Sequence, residues 1–177
     1  MSAPSVILDV PALPFSRRTL WLAFLRTDAG AWQTMLRLTL AAVMLPHAGQ
    51  HAFGWFGGFG FTATVHWMTT IGFPAPLAAL AILVETVAPL ALIAGIGSRA
   101  AGLLLAVLMA TAAATHAANG FFMNWTAALP AGSEGFEYHV LAIAIALTIA
   151  LRGGGSFSVD KRLSDPVAYV SSRWRTR

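Results

Sequence analysis

Ala100-Ala-Gly-Leu-Leu-Leu-Ala-Val-Leu-Met-Ala-Thr-Ala-Ala-Ala-Thr-His-Ala-Ala-Asn119 decides the fold: it holds no charged residue over a length that suits a membrane crossing. A helix rises about 1.5 Å per residue, so about 20 apolar residues match the roughly 30 Å of bilayer hydrocarbon. Three further stretches approach the same description. Trp32–His51 contains Arg37, and Pro74–Ile96 contains Glu85 near its centre. Phe136–Leu151 is shorter, which suits a start at the interface or a locally thinned bilayer. The alanine, glycine and threonine of the last three stretches favour close helix contact in lipid. Pro46 and Pro89 are expected to kink their helices, with neighbouring helices or water satisfying the freed carbonyls.

Composition agrees. The chain has 177 residues, 57% hydrophobic and 10% charged, with a mean hydropathy of +0.69. Soluble domains carry about 25% charge, and a soluble chain this apolar would expose patches that drive association. The absence of cysteine excludes disulfides, thiol chemistry and Cys-ligated zinc or iron–sulfur centres. A pI near 10.7 resembles a nucleic-acid signal, but 11 basic against 7 acidic residues leave only +4, and no nucleic-acid motif accompanies them.

The basic residues set the topology instead. Arg17, Arg18, Arg26 and Arg37 precede or open the first stretch, and Arg99 lies between the second and third. Arg152, Lys161, Arg162, Arg173, Arg175 and Arg177 follow the fourth, while residues 52–73 and 120–135 contain no Lys or Arg. By the positive-inside rule both termini are cytoplasmic. The sequence therefore predicts an all-α, multi-pass four-helix membrane bundle over 31–152 in a bacterial inner membrane. An N-terminal segment at 1–30 and a basic cytoplasmic tail at 153–177 flank it. Phe15–Thr27 opens with Ser16-Arg17-Arg18, as twin-arginine signals do, but lacks a long apolar run and a cleavage pattern. It is expected to form a short amphipathic helix on the membrane surface.

Ionisable residues inside a span face protein or a cavity. Arg37, Leu40, Met44, His47 and His51 share one helical stripe, which predicts that this stripe faces the bundle. Glu85 needs a partner, and Arg37, as the basic residue within a span, is the expected one. Such a pair would fix helix register or serve a proton relay. His47, His51, His66, His116 and His139 all map to the outer half, with Glu134 and Glu137 beside them. Imidazoles there can donate, accept or ligate, so quinone, haem and a divalent metal all stay open. Glu137 and His139, two apart, point to different sides of a helix. The outer loop from His51 to Phe61 is rich in glycine and aromatics; Trp55, Phe56, Phe59 and Trp67 suit an interfacial belt or a lid over the histidines.

Together these stretches resemble the DoxX family of small four-span membrane proteins. The resemblance rests on Arg37-Leu-Thr-Leu-Ala, Pro46-His-Ala-Gly-Gln-His-Ala-Phe-Gly-Trp-Phe-Gly-Gly58, Ile71-Gly-Phe-Pro-Ala-Pro76, Glu85, Gly95-Ile-Gly-Ser-Arg99, His116 with Asn119-Gly-Phe-Phe122, Glu137-Tyr-His139 and Gly153–Asp160. At His51 the family often has lysine, so a titratable ring stands in place of a fixed charge. The resemblance implies likeness to the membrane subunit of thiosulfate:quinone oxidoreductase. On that reading the chain is a quinone-interacting subunit of a redox complex that passes electrons from a partner protein. His47, His51, Trp55, His116, Glu137 and His139 would bind quinone, and Glu85 and Arg37 would hold helices or move protons. The alternatives are a non-catalytic anchor or assembly subunit of an oxidoreductase, and a b-type haem or metal protein. A homo-oligomer is compatible with either.

Overall fold

The computed structural model describes residues 24–28, 30–126, 128–130 and 133–164. Among the described residues every regular element is a helix. Helix α1 (Ala31–Ala48) runs into a wide π-type turn at Gly49–Phe53, followed by a 3-10 turn at Trp55–Gly57. Helices α2 (Gly60–Thr70), α3 (Ala75–Ala94), α4 (Ser98–His116), α5 (Glu137–Arg152) and α6 (Val159–Ser164) follow. Four of these, α1, α3, α4 and α5, fall on the four hydrophobic stretches. Helix α2 lies where the sequence suggests only a loop. Most of the expected surface helix at Phe15–Thr27, and residues 165–177 of the expected tail, lie outside the described residues.

Long-range contacts fix the helix directions. Arg37, in the second turn of α1, reaches the last turn of α3, whereas His51 beyond the far end of α1 meets Glu85 higher on α3. Helices α1 and α3 are therefore antiparallel. Arg99 at the start of α4 reaches Ala150 and Leu151 at the end of α5, and His116 stacks on His139 at the other end. These helices are antiparallel too, and they form the most extensive helix pair in the fold.

The interior is built from small residues: Ala41, Ala88, Ala101, Ala106, Ala142 and Ala146 pack among Leu40, Met44, Leu92, Leu105 and Ile149. Large side chains point outward, among them Leu83, Val87 and Leu90 of α3, Leu103, Leu104 and Val107 of α4, and Leu141 and Leu151 of α5. That surface suits hydrocarbon; in water it would associate. Helix α3 and the segment Ser98–Asn119 are, among the described residues, the two helices long and apolar enough to cross a membrane by length and composition. Helix α1 is interrupted by polar Gln33, Thr34 and Arg37, and α5, with 16 residues, covers about 24 Å.

One end of the bundle, the base, is closed by charge-assisted caps. The buried Arg37 donates from Nε to Gly154 O at 2.9 Å, from one terminal nitrogen to Leu92 O and to Ile93 O at 2.6 Å, and from the other to Phe157 O at 2.6 Å. The last carbonyls of α3 lack intrahelical donors, and a guanidinium fork satisfies several at once. Arg99 does the same for α5. Residues 153–164 fold back beneath the helices, with Gly153, Gly154, Gly155, Ser158 and Asp160 buried. Asp160 accepts from the backbone N–H of Gly97 at 2.7 Å and Ser98 at 2.8 Å. It thus supplies the acceptor that Gly97, preceding α4, cannot offer from a side chain. Asp160→Ala is expected to lower the unfolding midpoint of the reconstituted protein by a loss of about 1–2 kcal/mol, with Asp160→Asn in between. An unchanged midpoint in a denaturant titration would show that the cap is not contributing.

Candidate functional site

The opposite end of the bundle is built differently. Pro46 lies inside α1, where its ring removes the hydrogen bond that Ala42 O would accept. Three residues later the helix widens into the π-type turn that carries His51. Gly49 donates to both Leu45 O and Pro46 O as the winding changes. The expected stripe is corrected here: Arg37, Leu40 and Met44 are buried, but His47 is exposed while Ala48 and Gly49 turn inward. The proline and the wide turn rotate the buried face.

Glu85, 7% exposed in the middle of α3, is hydrogen-bonded to His51: Nδ1 donates to Oε2 at 2.7 Å. This corrects the expected Glu85–Arg37 pair. Arg37 sits level with Leu92, two helical turns from Glu85, and its donors are taken by backbone carbonyls. Pro89 adds a second polar feature beside Glu85. A proline four residues on removes the N–H that would bond the Glu85 carbonyl.

From this pair a row of rings crosses the bundle. His47 is near enough to interact electrostatically with Glu85, His51 and His139. Its ring lies 6.1 Å from that of Tyr138, which lies 5.7 Å from His139, which stacks on His116 at 5.0 Å and 30°. His116 Nδ1 donates to Glu134 O at 2.9 Å, so its Nε2 is left as the free edge. His139 is buried, and its Nδ1 has no hydrogen-bond partner. His66 is exposed on α2 and joins none of these contacts.

Tyr138 is the member sequence reasoning missed. Its hydroxyl donates to Met44 Sδ at 3.6 Å, a weak acceptor. The signal was present in its place between Glu137 and His139, but an aromatic at the start of a span reads as an interfacial anchor. Glu137 serves the loop: its Oε2 accepts from Met123 N at 3.3 Å. Backbone bonds from Gly135 to Phe122, Phe136 to Gly120 and Glu137 to Phe121 close that loop over α4 and α5.

The aromatic turn folds onto the same end. Trp55 lies against Gly49, where a Cβ would come within 3.2 Å of its ring, and its ring lies tilted by 30° against that of Phe53 at 4.8 Å. Phe56 adopts a left-handed backbone (φ 52°) between Gly54 and Gly57, a conformation strained for a bulky residue. Phe53, Trp55, Phe56 and Phe59 remain exposed in the turn that follows His51.

This arrangement discriminates among ligands. Among the described residues no group of three or more His, Asp or Glu side chains is placed to hold a metal. The His116 and His139 rings lie face to face, whereas axial haem ligands direct nitrogen edges at an iron between them.

In comparisons with known proteins, the family model described as DoxX matches residues 32–118. No curated protein and no solved structure matches the chain.

Proposed function

Because this chain belongs to the DoxX family of membrane proteins, we propose that it is a four-span, quinone-binding subunit of a membrane redox complex in a bacterial inner membrane. Both termini are cytoplasmic on this reading. All the described Lys and Arg residues lie in or below the base half of the bundle, and the histidines lie toward the other end, which the positive-inside rule places outside. One observation carries the proposal: His47 is exposed and His51 half-exposed at the end of the bundle that also carries the exposed Phe53, Trp55, Phe56 and Phe59. A bound quinone supplies two-electron redox chemistry, with electrons from a partner protein. The chain contributes a hydrogen bond from His47, one from His51 when its Nε2 carries a proton, ring stacking from Trp55, and proton exchange at the imidazoles. His116, His139 and Glu137 set the far wall.

Gentle solubilisation followed by lipid extraction is expected to recover quinone with the wild-type protein. A His47→Ala/His51→Ala variant is expected to retain about a tenth as much, since two lost hydrogen bonds at roughly 0.5–1.5 kcal/mol each approach that ratio. No quinone in the wild type, or equal quinone in the variant, would sink the assignment.

A non-catalytic anchor or assembly subunit is the second reading. The observation favouring it is that Arg37, Arg99 and Asp160 are all spent on this chain's own backbone. On that reading alanine at the outer histidines leaves complex assembly and quinone reduction unchanged, while Arg37→Ala lowers abundance.

A further inference from the structure

We infer that His51, held by Glu85, is the point at which the outer site exchanges protons with external water, and that Glu85 is its positioning residue. The inference rests on the quinone reading above. A carboxylate can only accept, so the bond of 2.7 Å places the His51 hydrogen on Nδ1 and leaves Nε2 as the nitrogen that takes and gives a proton. The two partners differ in access: the His51 side chain is 39% exposed and that of Glu85 is 9%. A buried carboxylate behind a half-exposed imidazole fixes the tautomer and aims the other nitrogen outward, as carboxylates do behind metal-bound histidines.

The surroundings keep this pair intact. The titratable groups that interact with it are His47 of α1 and Tyr138 of α5. Helix α2, packed on the same turn, brings His66, which is exposed. The described arginines and Lys161 lie toward the base, so none competes with His51 for Glu85. His51 alone among the five histidines combines a hydrogen-bonded carboxylate with a half-exposed side chain.

The proton count closes through this residue. Conversion of two carbonyl oxygens to hydroxyls takes two electrons, from a reduced electron-transfer protein, and two protons. Each proton leaves His51 Nε2, which is reloaded from outer water between the two.

The test uses full-length protein in lipid nanodiscs, with decylubiquinone as the probe and 15N-labelled histidine. The wild type is expected to show His51 as the Nδ1–H tautomer, its Nε2 resonance shifting when decylubiquinone is added. Glu85→Leu is expected to mix the tautomers. In sealed vesicles with external dithionite as reductant, proton uptake is expected to slow about a hundredfold in His51→Ala and to recover with added imidazole. Equal uptake with equal decylubiquinone bound overturns the role of His51 and leaves the quinone reading standing. No binding by the wild type overturns both. If His51→Ala does not accumulate, an Nε2–H tautomer or an unresponsive Nε2 in the wild type overturns the inference.

Discussion

Arg37→Ala is expected to lower stability more than any other single side-chain truncation at the base. Arg37 is 2% exposed, and removing it strips donors from the carbonyls of Leu92, Ile93, Gly154 and Phe157 together, of which Leu92 O keeps the Gly95 N–H at 3.2 Å. Each buried acceptor left unpaired costs about 1–3 kcal/mol, and water entering the gap recovers part of that. A net loss of about 3–5 kcal/mol follows, comparable with breaking a buried ion pair. Arg37→Lys keeps the charge but has three donors on one nitrogen instead of a planar fork, so roughly half the loss is expected. Unfolding of the reconstituted protein by sodium dodecyl sulfate measures it, and a wild-type midpoint for Arg37→Ala refutes the cap. The same experiment distinguishes the observed contacts from a direct Arg37–Glu85 bond. Residues two turns apart without shared partners act additively, so Arg37→Ala and Glu85→Gln are expected to show no coupling energy.

That correction shows where the sequence stops being informative. Hydropathy located α1, α3, α4 and α5 because each is built largely of apolar residues. Depth is harder to read. Arg37 and Glu85 are opposite charges on neighbouring helices, yet their relative height depends on how α1 and α3 slide past each other. Free helix-end carbonyls then compete with the carboxylate for the guanidinium. Asp160 escaped notice for a related reason: its role as the cap of α4 exists only once residues 153–164 fold back beneath the bundle. Helix α2 was hidden by its setting, since Gly54–Gly60 reads as turn and Thr62, Thr64 and Val65 are weak helix formers. Packing against α3 and the wide turn supplies what propensity does not. At the site, the histidines were legible as a set because they cluster at one end. Which of them meet was not, because Pro46 and the π-type turn rotate His47 away from the face that 3.6-residue periodicity assigns it.

Gly102→Leu is expected to be the most damaging substitution in the helix interface. A Cβ at Gly102 would stand 2.7 Å from Ala146 O and 2.9 Å from Ala150 N, both backbone atoms of α5. No rotamer relieves a clash between a Cβ and a backbone, so α4 and α5 must separate. In lipid, helix association depends on close packing and not on expulsion of water, so nothing offsets the lost contact. Gly102→Ala, which adds only the Cβ, is expected to cost about 1–3 kcal/mol; leucine is expected to prevent accumulation of folded protein. Separation at this level also weakens the Arg99 bonds to Ala150 and Leu151, a few residues away on the same interface. The absence of native cysteine makes the displacement measurable. Spin labels at Leu104→Cys and Leu147→Cys, both exposed, are expected to move apart by about 1 Å in the Gly102→Ala background, because overpacking a close contact shifts backbone. An unchanged label distance with unchanged stability would mean that α4 and α5 are not in the close contact on which the alignment of His116 with His139 depends.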